Sequence, residues 1–139
     1  MRPEGWVEVS GPHLPFGCDD NSLPSKSPIN YWSSLMLEAS ATLKRPMDIG
    51  PKLREMMHDA GFINIVEKVY KWPINSWPED PWKKKLGYYT YSDLELGVEG
   101  LSMKFFTAGL NWSPLEVKIL AALVKAELKS TKIHAYLNM

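Results

Sequence analysis

Two hydrogen-bonding side chains near the end of the chain offer the clearest chemistry in the sequence. His134 and Tyr136 stand two residues apart in a run with β-strand alternation, so both can face one pocket. A hydrogen-bond donor in that position can polarise a substrate carbonyl. Tyr31, near the start of a helical segment, is the third candidate for this catalytic role. A structural role for His134 is equally open, because a lone histidine is a weak signal.

Metal chemistry is not expected from the histidines or the acidic residues. His13, His58 and His134 have no metal-ligand spacing to one another, to cysteine or to an acidic pair. The Asp-Asp-Asn run at 19–21 lacks the spaced oxygen ligands and the closing glutamate of a divalent-cation loop. We therefore predict a turn at this run and no metal site.

The single cysteine, Cys18, excludes an internal disulfide framework. Its isolation indicates a reducing, intracellular compartment, and we predict a cytoplasmic protein. Two aspartates follow Cys18 directly, and nearby negative charge disfavours the thiolate form. We therefore expect an inert thiol rather than a nucleophile.

Composition limits the classes of protein that fit. The chain has 139 residues, 45% of them apolar, which fits one globular domain over 1–139. The 16 basic and 16 acidic side chains cancel, so a clustered positive field for nucleic acid is not expected. No apolar run reaches the roughly 18 residues of a membrane span, and the first residues lack the apolar core of a signal peptide. The sequence thus predicts neither a nucleic-acid nor a membrane partner.

Aromatic side chains are numerous for this length, with six Trp, six Tyr and four Phe. They can fill a core or line a pocket for a bulky apolar ligand, and core packing alone explains about half of them. The candidate substrate-binding residues are Trp32, Trp77, Trp82, Phe105, Phe106 and Trp112. We expect the ligand to be a hydrophobic small molecule.

Apolar residues recur at helical spacing in four segments, which we predict as helices: 29–43, 51–60, 82–106 and 114–129. The last is the clearest, because Ser113 and Glu116 form a capping box around a proline at the first helical position. Gly97 and Gly100 weaken the third helix and can break it. The second and third helices are expected to bury apolar stripes that include Leu53, Met56, Met57, Tyr89, Leu94, Leu96, Leu101 and Phe105.

Three segments are predicted as strands: 6–9, 62–72 and 132–138. A turn at 2–5 precedes the first strand, and loops over 10–28 and 73–81 give the order β-loop-α-α-β-loop-α-α-β. Only two later segments can pair with residues 6–9, so one edge of that strand is left open. We expect this edge to pair with a second copy or with a partner chain, giving an oligomer.

Several short motifs recur in one known family. They are Arg2-Pro3-Glu4-Gly5-Trp6-Val7-Glu8, Asp19-Asp20-Asn21-Ser22-Leu23, Asn30-Tyr31-Trp32, Ala60-Gly61-Phe62, Lys71-Trp72-Pro73-Ile74-Asn75, Trp77-Pro78-Glu79-Asp80, Gly109-Leu110-Asn111-Trp112-Ser113 and Ile133-His134-Ala135-Tyr136. Together they resemble the C-terminal half of fungal LaeA-like class I S-adenosylmethionine-dependent methyltransferases. The family usually carries Pro-Gly-Gly-Trp where this chain has Pro3-Glu4-Gly5-Trp6.

The resemblance implies an α/β fold, the C-terminal half of a Rossmann-like methyltransferase sheet with about three strands and four or more helices forming a lid. The predicted strands would be the fifth, sixth and seventh, the last lying antiparallel between the other two. Residues 10–32 and 77–112 would cover the methyl acceptor. The family's glycine-rich cofactor loop has no counterpart in the sequence. We therefore expect an N-terminally truncated, acceptor-binding domain that binds no S-adenosylmethionine unless a partner chain supplies the missing half.

Three functions follow from this resemblance. The first is a cofactor-free cyclase of the pericyclase (Diels–Alderase-like) type, in which a pocket orients a polyketide-type intermediate of fungal secondary metabolism. The second is a methyltransferase half that needs a partner chain. The third is a non-catalytic interaction or regulatory homologue. The residues favour an enzyme-derived protein and leave the choice among the three open.

Overall fold

The protein is described by a computed structural model that covers residues 5–139. In chain order its elements are β1 (His13–Cys18), α1 (Pro28–Thr42), a 3-10 helix (Gly50–Lys52), α2 (Leu53–Asp59), β2 (Lys71–Pro73), α3 (Pro81–Leu110), α4 (Pro114–Leu128) and β3 (Ala135–Asn138). This is the predicted mixed α/β fold, with the predicted order of helices and strands. The turn predicted at 2–5 lies almost wholly outside the described residues.

The three strands form one antiparallel sheet in the order β1-β3-β2. At its centre, Tyr136 of β3 lies opposite Gly17 of β1 and Pro73 of β2. The last strand thus runs antiparallel between the other two, as the family resemblance implies. Side chains alternate along β3: Ala135 and Leu137 are buried, whereas Tyr136 and Asn138 are half-buried. One face of the sheet therefore meets the core, and the other carries polar side chains.

Helices α1, α3 and α4 pack on one another, and α1 and α3 also contact the sheet. The predicted apolar stripe of α4 is confirmed, because its five members are all buried: Val117, Leu120, Ala121, Val124 and Leu128. Trp32 of α1 reaches α3, where its Nε1 donates a hydrogen bond of 2.7 Å to the buried hydroxyl of Ser102. This bond fixes one side of α3 against α1 within the core.

The predicted helix starts are confirmed by their caps. The Ser27 hydroxyl accepts from a backbone N–H of the first turn of α1, and Ser113 forms the capping box of α4. Helix α3 runs unbroken through Gly97 and Gly100 to Leu110. Asn111 caps its C-terminus with a left-handed φ of 58°. The two glycines therefore do not break the helix, because its packing against α1 and α4 outweighs their low propensity.

The strand predicted at 6–9 is wrong, and the first strand instead lies at His13–Cys18, inside the segment predicted as a loop. Leu14 and Phe16 of β1 are buried, whereas Trp6 is 87% exposed. A β-rich run becomes a strand only where a partner strand and core contacts are both available. For β1 the partner strand is β3, and the core contacts come from α1. Residues 6–9 therefore form no open strand edge of the kind that was expected to pair with a second chain.

Only the last residues of the strand predicted at 62–72 join the sheet. Beside β2, Tyr70 and Met139 exchange two backbone hydrogen bonds of 2.8 and 2.9 Å, while residues 62–69 lie outside the sheet. The strand predicted at 132–138 is also shorter, because residues 131–132 form a turn and β3 begins at Ala135. Strand length here is set by which residues find partners, not by β-propensity alone.

Two of the predicted apolar stripes are not buried as expected. Helix α2 has no buried residue, and on α3 the core positions are taken by Val98, Ser102 and Phe106. The exposed members of the predicted stripes are Met56, Tyr89, Leu96 and Leu101. On α3 the buried face is the one that meets α1 and α4, and the hydroxyl of Ser102 is acceptable there because Trp32 bonds to it.

Candidate functional site

Five side chains form two hydrogen-bonded sets that meet at the adjacent residues Asp19 and Asp20, and we call them the carboxylate cluster: Asp19, Asp20, Lys71, His134 and Tyr136. Asp19 and Asp20 directly follow β1, and Lys71 is the first residue of β2. His134 immediately precedes β3, and Tyr136 is the second residue of β3. Since β3 is the central strand, it brings groups from both neighbours to one place. The cluster joins residues more than a hundred positions apart in the chain.

His134 is held through its side chain by Asp20 and through its backbone by Ser22. The carboxylate Oδ2 of Asp20 lies 2.5 Å from His134 Nδ1, and Oδ1 accepts from the Ser22 N–H at 3.0 Å and from Cys18 Sγ at 3.2 Å. The Ser22 hydroxyl accepts in turn from the His134 backbone N–H at 2.8 Å. The hydrogen bonds from Ser22, followed by those from His134 and Cys18, hold the pKa of the Asp20 carboxyl far below its ordinary value of 3.8.

Asp19 holds Tyr136 and Lys71 with its two oxygens. The Tyr136 hydroxyl donates to Oδ1 at 2.6 Å, and Lys71 Nζ donates to Oδ2 at 2.5 Å. The same Nζ lies 4.4 Å from the centroid of the Tyr136 ring, where a cation is attracted to the π face. The bond from Lys71, followed by that from Tyr136, lowers the pKa of Asp19, and the bond to Asp19 raises the pKa of Lys71.

Trp77 forms an aromatic wall beside His134. The two rings stack with centroids 4.8 Å apart and planes inclined at 30°. Trp77 Nε1 donates to the carbonyl oxygen of Ala135 at 3.0 Å, and its backbone N–H donates to Asn75 Oδ1 at 3.0 Å. Asn75 is buried and also donates to the carbonyl oxygens at the end of α4, including that of Leu128. Trp77 is therefore held both through its indole N–H and through its backbone N–H.

The imidazole of His134 has one nitrogen to present to a ligand. A carboxylate can only accept, so Nδ1 donates its proton towards Asp20 and Nε2 is the nitrogen that can face a ligand. The His134 side chain is 39% exposed, so a ligand can reach the ring. Nε2 donates a hydrogen bond when the ring is protonated and accepts one when the ring is neutral. This is an imidazole oriented by a carboxylate, the arrangement with which a protein shares a proton with a substrate.

The other residues predicted for the site lie elsewhere. Trp32 and Phe106 are core residues, and Phe105 is half-buried against the core. Trp82 is 74% exposed in the first turn of α3. The third candidate donor, Tyr31, is not in the carboxylate cluster. Of the nine predicted residues the structure thus brings together His134, Tyr136 and Trp77, and it places Tyr31 with Trp112 at a second location.

That second location is a groove between α1 and α4, which we call the α1–α4 groove. Its walls are Pro28, Tyr31, Trp112, Ile119, Leu120 and Leu123, and its volume is about 360 Å³. The rings of Tyr31 and Trp112 lie with centroids 6.5 Å apart. It shares no residue with the carboxylate cluster.

Sequence reasoning missed the carboxylate partners of the site. Asp19 and Asp20 were predicted only as part of a turn, and the turn is present, since Asp20 accepts from the Ser22 N–H. Their contacts to His134 and Tyr136 leave no local signal, because a bond between residues far apart depends on the sheet order. Lys71 stood inside a predicted strand, where an exposed lysine is ordinary.

Among residues 5–139, no three His, Cys, Asp or Glu side chains gather closely enough to hold a metal ion. The part of the chain that the structure describes also contains no helix that combines the length and apolarity needed to cross a bilayer.

The chain is similar to several curated fungal proteins. It is 32% identical over 136 residues to the probable methyltransferase tdiE of Emericella nidulans, a match that covers 98% of this chain and 43% of that protein. It is 33% identical to the secondary metabolism regulator LAE1 of Cochliobolus heterostrophus, over 97% of this chain and 44% of that protein. It is 30% identical to the protein-methionine methyltransferase laeA of Emericella nidulans, over 98% of this chain and 36% of that protein.

The chain therefore spans less than half the length of the curated relatives it matches, between 36% and 44% for these three. No protein-family profile matches the chain. No solved structure matches it either.

Proposed function

Because the chain is a relative of the fungal LaeA-like methyltransferases and secondary-metabolism regulators, we propose that it is a methyltransferase-like protein of secondary metabolism that acts on a hydrophobic, polyketide-type intermediate without S-adenosylmethionine. The reaction is an intramolecular cyclisation of the pericyclic type. The observation that supports it best is the carboxylate cluster, where Asp20 orients the imidazole of His134 beside the ring of Trp77.

S-Adenosylmethionine does not fit the described residues. Class I methyltransferases hold it with a glycine-rich turn between a strand and a helix N-terminus. In residues 5–139 four glycines lie inside α3, Gly17 lies inside β1 and Gly50 lies in the 3-10 helix, while Gly5, Gly11 and Gly61 each stand alone in irregular segments. The described residues offer no such cradle, so the proposed reaction does not use the cofactor.

A pericyclic cyclisation needs orientation and polarisation rather than a cofactor. In a Diels–Alder closure, a diene and an alkene of one molecule form two carbon–carbon σ bonds, while their three π bonds are replaced by one new π bond. All electrons stay within the substrate, and no proton or leaving group is exchanged with the protein. Holding the two reacting parts close together removes much of the entropic barrier. A hydrogen bond to a carbonyl conjugated with the alkene withdraws electron density and lowers the remaining barrier.

The carboxylate cluster contains the groups for this polarisation. His134 donates from Nε2 when its ring carries both protons, and the ring cannot rotate freely because Asp20 holds Nδ1 and Trp77 stacks on its face. Lys71 is a second donor, since its ammonium carries three N–H groups and Asp19 receives one. The Trp77 ring supplies an apolar surface on which an unsaturated chain can lie.

The test is the rate at which a linear polyene ketone, with a conjugated diene and an enone, cyclises in the presence of the purified chain and without S-adenosylmethionine. We expect the chain to raise the rate above that of buffer and to favour one stereoisomer. His134→Phe keeps a ring against Trp77 but removes both N–H groups, so we expect a loss on the order of a hundredfold. His58→Phe is the matched control, because His58 lies exposed on α2, and it should retain the rate.

An unchanged buffer rate and product ratio with the wild-type chain would refute the cyclase proposal for this substrate class. Equal rates for wild type and His134→Phe would show that the carboxylate cluster is not the acting site. Circular dichroism of each variant establishes that the fold is intact, so that a lost rate is not a lost fold.

A further inference from the structure

The α1–α4 groove has features that the proposed cyclase does not use. It is walled by aromatic and aliphatic side chains, shares no residue with the carboxylate cluster, and has a volume of about 360 Å³. Sites for small molecules have volumes of about 300 to 1,000 Å³, so the groove is large enough for one compact ligand. We propose that it binds an aromatic carboxylate, with the flat ring against Tyr31 and Trp112 and the carboxylate at Lys26.

The aromatic wall of the groove is held in place from behind. Trp112 packs on the fully buried ring of Phe106, with centroids 5.4 Å apart. Tyr31 faces Trp112 across the groove at 6.5 Å between centroids, and the two planes are inclined at 43°. Rings at this distance offer faces and edges to a third aromatic ring without having to move far. A flat ligand is therefore favoured over a bulky one.

The floor and rim of the groove are apolar and only partly covered. Leu120 forms a buried floor at 6% exposure, while Ile119 and Leu123 on the rim are 55% and 52% exposed. These three side chains lie on one side of α4 at helical spacing. Covering the two rim residues removes apolar surface from water, which favours a ligand with an apolar body.

Three charged side chains border the groove. Glu116 is already engaged, because its Oε2 accepts from the Ser113 N–H and hydroxyl at 2.8 and 2.7 Å. Glu127 accepts from the Ile29 N–H at 2.9 Å, at the N-terminus of α1. Lys26 lines the groove and has no carboxylate partner within 4.0 Å among the described residues.

Both glutamates are already engaged in hydrogen bonds, so an anionic ligand gains its ion pair from Lys26. A neutral aromatic ligand gains the contacts with Tyr31 and Trp112 but no ion pair. Because the Lys26 side chain is exposed, its ion pair with a ligand adds only a modest preference, about two- to fivefold in affinity. The ring contacts therefore carry most of the affinity, and the charge sets the orientation.

The experiment uses the full chain, labelled with ¹⁵N, and two probes of the same shape: naphthoate, which is an anion, and naphthamide, which is neutral. The indole N–H signal of Trp112 is assigned by its loss in Trp112→Phe. We expect both probes to shift this signal and naphthamide to bind about two- to fivefold more weakly. Lys26→Gln should abolish the difference, whereas Lys104→Gln, an exposed lysine on α3, should preserve it.

Three results would overturn the aromatic-acid site. The first is an unmoved Trp112 signal at millimolar naphthoate. The second is an anion preference that persists in Lys26→Gln. The third is a Trp112 signal that already shifts with protein concentration alone, which would make a second copy of the chain the occupant. His134→Phe should bind naphthoate like the wild type, so failure of the groove and failure of the cyclase proposal are distinguishable.

Discussion

Asp20 does more than any other single residue to build the site. Its two oxygens receive the Ser22 N–H, the Cys18 thiol and the His134 ring, and it thereby ties the end of β1 to the start of β3. All of these bonds favour the carboxylate over the carboxylic acid, which is why the pKa of Asp20 is lowered. The positions of the His134 ring and of the turn at Ser22 therefore depend on the charge of Asp20.

We expect Asp20→Asn to lower the melting temperature at neutral pH. The difference in melting temperature between this variant and the wild type should become smaller as the pH falls. A carboxyl whose pKa is lower in the folded than in the unfolded chain adds stability above its unfolded value, which is 3.8, and this is lost progressively below about pH 4. Thermal unfolding of both proteins at pH 7 and at about pH 2.5 measures the gap.

Asp93→Asn is the matched control for this pH dependence. Asp93 is exposed on α3, so its replacement should change the melting temperature little at either pH. A gap between Asp20→Asn and wild type that is the same at both pH values would mean that the charge of Asp20 does not stabilise the cluster.

At the scale of elements, the close approach of α3 to the segment after β2 positions Trp77. Gly87 of α3 is buried against the backbone of Asn75, and a Cβ at Gly87 would lie 2.7 Å from the Asn75 carbonyl carbon. Asn75 in turn bonds to the Trp77 N–H and to the end of α4. The helix, the loop and the aromatic wall of the site are therefore packed as one unit.

Gly87→Ala is expected to destabilise the protein by about 1–3 kcal/mol, because backbone atoms must separate to admit the methyl group. Gly100→Ala is its matched control in the same helix, since a Cβ there would meet no atom within 4 Å. We expect Gly100→Ala to be stabilising by about 0.5–1 kcal/mol, as alanine is the better helix former. Urea unfolding measures both, and equal effects at the two positions would contradict the close approach.

The helices could be predicted from the sequence more fully than the strands. Helices α1 and α4 begin within a residue of the predicted positions, because Ser27 and Ser113 are caps that act on their own first turn. Strands depend on partners distant in sequence, so the β-rich run at 6–9 gave a wrong strand, and β1 appeared where a loop was expected. The same reason explains why His134 could be named from the sequence as a candidate residue while its hydrogen-bond partner Asp20 could not.

At the scale of the whole molecule, the chain exposes large apolar side chains outside its core. Ile63 and Val66 are 84% and 76% exposed in the segment after α2, which was predicted as a strand and pairs with no strand among residues 5–139. An apolar, β-rich segment without a partner is a site for contact with another chain. This segment, rather than residues 6–9, is where we expect an oligomer to form.

Sedimentation of the chain over a range of concentrations should show association above the monomer. The double variant Ile63→Lys, Val66→Lys should shift the chain towards the monomer, because lysines oppose edge pairing. Glu67→Lys is the control, since it changes charge beside the same site without removing an apolar side chain. A wild-type monomer at every concentration would contradict this expectation.

The proposed cyclisation differs from the methyltransferase activities named for similar fungal proteins in requiring no S-adenosylmethionine. The direct test is calorimetric titration of the purified chain with S-adenosylmethionine, with the oligomeric mass determined on the same sample. We predict no saturable heat of binding from a folded chain that nevertheless accelerates closure of the polyene ketone. Saturable binding, at one site per chain or per oligomer, would contradict the account and would make methyl transfer the reaction to pursue.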